Sequence, residues 1–426
     1  MAPAYTRQTS RSHTGYITTK RGGSNDYIPF FRKSASGTYR ALLLSGCSAT
    51  IPVTNDPRKA LDESSLAVSI AGDSRYLPNA GGGVAFYNSQ TQKWSRIKNV
   101  GVRNSPIKYK DKNLYFTDTN SLFTLSDKLH TYPKKTKNDY SEDVYVADDS
   151  TIVAIDNYGG DGSGDYVFLV TIVKDGVVRE ERIKNILHMT AQCADGSIWG
   201  YDKISNYEGT DNQYLHPRNP TYLTRVYPNP SNEKMFSKSL ESNTMEGSYI
   251  VCAGNRIVKI HDTYPQSITD YQYADLKDID GSMLEVINVQ TGEHTERQIT
   301  GEVSKRVHGE NVPSGAPYAI HAYGDDIWWV HHDGRIISTN IDTAHNTVRF
   351  SLKIPEGVKE VSTYYWTEKN LYAMYELQGE TYIQAYSVES GELIKTQKIP
   401  HYNALLNGRE YPSYFVITNE EKFLKN

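Results

Sequence analysis

The chain has 426 residues, with 46 Lys and Arg against 50 Asp and Glu for a formal charge of −4, and with 33 Tyr, ten Phe and three Cys. That balance argues against capture of nucleic acid by the body of the protein, and no stretch approaches the roughly 18 consecutive apolar residues of a membrane-crossing helix. The cysteines form an odd count without close spacing, which fits a reducing or redox-indifferent setting.

Charge is unevenly placed. Residues 1–40 contain Arg7, Arg11, Lys20, Arg21, Arg32, Lys33 and Arg40 against Asp26 alone, a net +6, so that with −4 overall the remainder carries −10. Tyr16, Tyr27, Phe30, Phe31 and Tyr39 are interleaved with these cations among Ser, Thr and Gly, without an apolar stripe. Residues 1–60 therefore read as a basic extended arm that builds no core of its own. It is either a solvated tail, an arm docked on a neighbouring subunit through its rings and cations, or a contact for nucleic acid or an anionic membrane. Leu44-Ser45-Gly46-Cys47 is similar to the lipobox of bacterial lipoproteins, in which the cysteine becomes the lipidated N-terminus. The apolar run Ala41–Leu44 is shorter than an export signal's core of about 7–15 residues. A strand or docking segment with Cys47 packed in it is the alternative.

From residue 61 onward, helical periodicity gives way to short runs of Tyr, Val, Ile, Thr and Trp, as pleated half-buried strands favour. One outer pair, Ala85–Ile97, comes first. Inner hairpins with Asp/Asn/Gly turns follow at Ile107–Phe116, Val144–Ile155, Thr190–Tyr201, Tyr249–Ile260, Ala319–Val330, Thr363–Met374 and Tyr414–Leu424. Six more outer pairs lie between them, at Leu122–Lys134, Tyr166–Ile183, Thr221–Ser237, Met283–Ile299, Ile336–Leu352 and Tyr382–Ile399. Turns such as Gln290-Thr291-Gly292 and Glu389-Ser390-Gly391 place Gly where a hairpin needs positive φ.

Strand-only repeats of this length resemble the β-propeller superfamily, which implies an all-β fold over residues 61–426 with seven four-stranded blades. An outer pair with no inner pair before it, and a last inner pair with no outer pair after it, predict one shared blade. C-terminal inner strands then pair with N-terminal outer strands to close the ring. The alternative is an eight-bladed ring in which Leu66–Ala71 opens a blade. The excess of Tyr over Phe suits rings with one packed end and one wet end.

Several patterns invite a chemical reading. Asp156-Asn157-Tyr158-Gly159-Gly160-Asp161 and the residues up to Asp165 cluster oxygen donors that calcium could use, or form a hydrophilic hairpin. Asp275, Asp278 and Asp280 form either a second carboxylate cluster or a solvated turn. His321, His331 and His332 flank Trp328-Trp329. Alternation sends His331 and His332 to opposite faces, leaving His261, His331 and Asp202 as a conceivable group at a channel mouth. Ala194-Asp195-Gly196-Ser197-Ile198-Trp199 is similar to a sialidase-type turn but lacks its leading Ser and Trp spacing, so that activity is not transferred. Cys193 and Cys252 read as small hydrophobes in inner strands.

No catalytic, metal or cofactor site is assigned. The expected role is a non-catalytic structural or adaptor subunit of a large assembly, such as a virion tail or connector. Its partners would be neighbouring protein subunits or copies in a homo-oligomeric ring, with nucleic acid possible only through the arm. A lipid-anchored propeller outside the cytoplasm, tethered through Cys47 and binding a glycan or peptide, is the second expectation. A hydrolase or lyase acting in the axial pocket is the third.

Overall fold

The computed structural model describes residues 51–75, 80–162, 166–187, 189–203, 220–238, 243–244, 249–264, 281–303, 313–314, 316–405 and 410–425. Seven antiparallel sheets stand around an axis, and their innermost strands touch in sequence to form a ring. Blade 2 comprises Ile107–Lys110, Asn113–Thr117, Ser121–Leu125 and Leu129–Pro133, from the axis outward. Blade 3 comprises Ser141–Asp148, Thr151–Gly160, Tyr166–Lys174 and Val177–Ile183, and blade 4 Met189–Gln192, Ile198–Lys203, Thr221–Tyr227 and Met235–Lys238. Blade 5 has Ile250–Ala253, Arg256–Tyr264, Gly281–Asn288 and His294–Gln298, with the short Asn243–Thr244 paired to its second strand. Blade 6 has Ile320–Tyr323, Asp326–Val330, Arg335–Asn340 and His345–Ser351, with Thr300–Gly301 running parallel at its rim. Blade 7 has Val361–Trp366, Asn370–Leu377, Glu380–Ser387 and Leu393–Ile399.

Blade 1 closes the ring. Its innermost strand is Glu410–Ile417 from the C-terminus, followed outward by Leu66–Gly72, Gly81–Asn88 and Lys93–Val100. Ala67 pairs with Val416 on one side and with Phe86 on the other, so the two ends of the chain share one sheet, as the hairpin order predicts. The composition of that blade differs in detail from the sequence reading. Leu66–Gly72 is its second strand and opens no eighth blade, and only one strand comes from the C-terminus. Beyond it, Glu420–Lys425 turns into a short C-terminal helix, because Asn419 caps Lys422 and carboxylates occupy the first turn. The Tyr414–Leu424 hairpin is thus a strand and a helix, with Phe423 fully buried against Tyr372 of blade 7 in a cluster that also contains Trp94 of blade 1.

Burial follows radial position. The third strand of blade 3, Tyr166–Lys174, is apolar on both faces and buried almost throughout, whereas the rim strand Val177–Ile183 carries Arg179, Glu180, Glu181 and Arg182. Both faces of a middle strand pack against neighbouring blades, while charged rim strands discourage edge pairing with other chains.

Polar side chains cross the blade boundaries. Lys134, between blades 2 and 3, donates to the Asp118 carbonyl at 2.9 Å and to Asp156, and both side chains of that ion pair are fully buried. At the boundary of blades 4 and 5, Glu285 accepts from Tyr201 Oη at 2.7 Å, Thr221 Oγ1 at 2.6 Å and His294 Nε2 at 2.7 Å.

Cys193 and Cys252 are joined by a disulfide with Cα atoms 5.0 Å apart, which corrects their expected role as free hydrophobes. The innermost strands of blades 4 and 5 lie side by side. Cysteines one blade apart, each just ahead of its hairpin turn, therefore face one another.

Candidate functional site

The axis is where side chains from all blades could converge, and the described residues there are mostly tyrosines. Lys108 of blade 2 places Nζ 5.5 Å from the ring centre of Tyr145 in blade 3 and 5.4 Å from that of Tyr318, which leads into blade 6 on the far side of the ring. The Tyr318 ring meets Tyr414 of blade 1 edge-on at 5.4 Å. Both contacts skip intervening blades, so they span the axis itself. An ammonium between two ring faces at this distance is held by their negative quadrupoles. Tyr414 Oη donates to Asn104 Oδ1 at 2.6 Å, and Tyr145 Oη pairs with Thr190 Oγ1 of blade 4 at 2.8 Å. These rings pin one another in place.

Burial pushes the Tyr145, Tyr318 and Tyr414 phenols well above their ordinary range, and the nearby Asp143 carboxylate opposes their ionisation further. They remain neutral hydroxyls at physiological pH. Glu142, half-buried beside this group, has its carboxyl pushed up to about 7, chiefly by burial and further by Asp143 and Asp156, although Asn157 Nδ2 donates to it at 3.0 Å. His321 stacks on Trp366 with centroids 5.8 Å apart, and burial together with Lys108 lowers it to about 4. The hub thus combines neutral hydroxyls, one neutral imidazole, one cation and a carboxyl that titrates near neutrality.

Of the histidines marked in the sequence, only His321 joins this group. His331 pairs with Asp333 through Nδ1 at 2.7 Å and lies against His332 just past the end of its strand. His261 has Glu296 3.3 Å from its Nε2 and Glu285 3.8 Å from its Nδ1, while Asp202 accepts from Tyr222 Oη at 3.1 Å. These three form no common group, which corrects the conceivable channel-mouth cluster. Asp156 is the partner of Lys134, and Thr151–Gly160 is a strand paired with Tyr166–Lys174 through one bulge, so the glycine-rich stretch is a hairpin over its described part. Among the described residues, no group of three His, Cys, Asp or Glu side chains could hold a metal ion.

The turn at Asp195-Gly196 is a wedge between blades. Ala194 N donates to the Gly254 carbonyl of blade 5 at 2.8 Å, and a Cβ on Gly196, at φ 82°, would lie 2.5 Å from the Ala147 carbonyl of blade 3. Arg7, Arg11, Tyr16, Lys20, Arg21, Tyr27, Phe30, Phe31, Arg32, Lys33, Arg40 and Cys47 lie outside the described residues, as do Asp165, Asp275, Asp278 and Asp280. Sequence reasoning missed the tyrosine hub, although one signal was present: Tyr109, Tyr145, Tyr249, Tyr318, Tyr365 and Tyr414 recur in or just ahead of the innermost strands of six blades.

These features define a seven-bladed β-propeller of four-stranded blades, closed by a C-terminal strand. Residues 73–417 match the family described as YycP, beta-propeller domain, and the chain belongs to that family. No curated protein sequence matches it. Solved structures resemble the chain at low identity and with TM-scores below 0.5. An apocarotenoid oxygenase of Synechocystis is 10% identical over 86% of this chain and 93% of its own, with a TM-score of 0.44. The beta-propeller domain of the Trilobed protease of Pyrococcus furiosus is 10% identical over 84% and 96%, with a TM-score of 0.44. The hydrazine synthase of Kuenenia stuttgartiensis is 10% identical over 74% and 89%, with a TM-score of 0.42. Likeness at this level says nothing about role.

Proposed function

We propose that the protein is a non-catalytic interaction platform whose propeller presents its outer surfaces to protein partners, while the basic arm of residues 1–40 docks on a neighbouring acidic body. The observation that carries this reading is the hub itself. Lys108, Tyr145, Tyr318 and Tyr414 occupy the axis with one another, leaving the disc faces and rim as the surfaces for partners. A +6 arm and a −10 body are complementary in sign, which orients an encounter, while affinity would come from Tyr16, Tyr27, Phe30 and Phe31 seated in pockets. A structural subunit of a large assembly is one setting for such a platform. The test compares the solution masses of the full chain and a chain lacking residues 1–60. Oligomers formed only by the full chain support the reading. Two monomers with no captured partner overturn it.

A second setting is favoured by the Cys193–Cys252 disulfide. Such bridges persist in oxidising compartments, and this one leaves Cys47, in its lipobox-like context, as the remaining thiol. A lipid-anchored propeller outside the cytoplasm, taking a glycan or peptide on one face, accounts for both. Metabolic labelling with a fatty acid, abolished by Cys47→Ala, would support it, and absence of label in the unaltered chain would rule it out.

A further inference from the structure

We propose that Cys252 is a thiol-modification site, the sulfur through which the bridge between blades 4 and 5 exchanges with small thiols. The two halves of that bridge differ in access. Cys193 is 4% exposed and packs in the cluster that contains Trp199, Tyr201 and Leu223. Cys252 is half-buried and lines an open groove of about 640 Å³ between the innermost hairpin turns of blades 5 and 6. Gly254, Asn255, Arg256, Ala322 and Asp325 form the groove's walls. Arg256 is fixed there by Asp325 at 2.8 Å and Asp342 at 2.7 Å, so the groove is a held shape with one cation between two carboxylates. A neutral or cationic thiol suits that surface better than an anionic one.

Exchange requires a thiolate to approach one sulfur while the other leaves. Cys252 is the half of the bridge that lines the groove, whereas Cys193 is buried in the cluster behind it. The entering thiolate forms a new S–S bond to Cys252 as the Cys193–Cys252 bond breaks, and Cys193 departs as a thiolate that takes a proton from water. The small thiol is oxidised into the mixed disulfide and Cys193 is reduced, with no other reagent needed. Blades 4 and 5 stay together after this step, because Glu285 still accepts from Tyr201 and Thr221 across the boundary and the apolar cluster around Trp199 remains. The modified protein is therefore a folded ring with an opened staple.

The test uses the full chain carrying Cys47→Ser, purified without reductant and incubated in native buffer with cysteamine. It is then quenched in acid, denatured, alkylated and mapped by mass spectrometry. The expected result is cysteamine on Cys252, the alkylating reagent on Cys193, and a lowered Tm in the incubated protein. Asn255→Trp, which places a large ring on the groove wall, should slow the reaction severalfold. A bridge that opens only in guanidinium, an adduct on Cys193, or a rate unchanged by Asn255→Trp would each overturn the proposal.

Discussion

Arg96 and Glu410 meet across blade 1. Arg96 Nη2 lies 3.1 Å from Glu410 Oε1 and Nη1 lies 3.2 Å from Oε2, a two-pronged pair linking the outermost strand to the innermost. Both side chains are buried, at 7% and 3% exposure. The Arg96 backbone meanwhile holds the N-terminal strap, accepting from Thr54 N at 2.9 Å and donating to the Pro52 carbonyl at 3.0 Å. One residue therefore fastens both ends of the described chain. Gly81 makes the contact possible, since a Cβ there would stand 2.1 Å from Glu410 Oε1.

Removing one member of a buried ion pair leaves the other charge uncompensated, which costs about 3–5 kcal/mol. Glu410→Ala and Arg96→Ala should each lower the stability measured by urea unfolding by about that amount. The double variant should cost less than the sum of the two. Gly81→Ala should behave like Glu410→Ala, because its methyl group displaces the carboxylate from Arg96. Full additivity in the double-mutant cycle would show that the two residues do not act together.

The C-terminal helix is a second fastening. Glu420 Oε1 accepts from Thr367 Oγ1 at 2.8 Å, Asn370 Nδ2 at 2.8 Å and Tyr372 Oη at 2.7 Å, all in blade 7, while Ser89 of blade 1 donates to the Lys422 carbonyl at 2.9 Å. Phe423→Ala should cost about 3–5 kcal/mol through the cavity left among Trp94, Tyr372 and their neighbours. Deleting residues 411–426 removes most of the closing strand together with this helix and should abolish soluble expression. Deletion of residues 1–40 should leave the melting transition unchanged. A soluble, cooperatively melting product of the C-terminal deletion would contradict the closure described here.

Most of this architecture was legible because the repeat is local. Hairpins such as Ile107–Thr117 announce themselves through a strand, a turn and a strand, and the unpaired outer hairpin Ala85–Ile97 pointed to closure from the C-terminus. Leu66–Gly72 was ambiguous because both its partners, Gly81–Asn88 and Glu410–Ile417, are set by ring geometry, one of them lying more than 300 residues away. The C-terminal helix Glu420–Lys425 was hidden by its brevity, as six residues carry little periodicity. The Cys193–Cys252 bridge and the tyrosine hub share one cause. Each joins residues at equivalent positions of different blades, and spacing along the chain does not say which equivalent positions touch.

Glu285 should be the most sensitive residue at the boundary of blades 4 and 5. Burial alone would raise its carboxyl above the ordinary value. The His294 hydrogen bond and the charges of His261, His294 and Lys259 together outweigh this and bring it down to about 2. A carboxylate with a depressed folded value stabilises above its ordinary 4.5, and that contribution is lost as pH falls toward 2. Glu285→Ala, which also leaves Tyr201 and Thr221 without their acceptor, should destabilise by about 3–5 kcal/mol at pH 7. The loss should shrink in urea titrations carried out below pH 4. An unchanged loss at low pH would mean that the carboxylate's charge contributes nothing at this boundary.

Glu142 should give the opposite dependence. Its folded carboxyl is raised from 4.5 to about 7, so the native state holds a proton that the unfolded chain releases, and stability falls as pH rises between those values. Below about 4.5 both states are protonated and the penalty is absent; above 7 it is complete. After allowance for the solvent that reaches this half-buried group, the penalty amounts to about 1–2 kcal/mol. Glu142→Gln keeps an acceptor for Asn157 Nδ2 and cannot ionise beside Asp143 and Asp156. The variant should therefore be more stable than the parent at pH 8 by that amount and equal to it at pH 4.5, as read by chemical unfolding at the two values. A variant less stable than the parent at pH 8 would show that the ionised carboxylate is favoured at this position and that burial does not raise it.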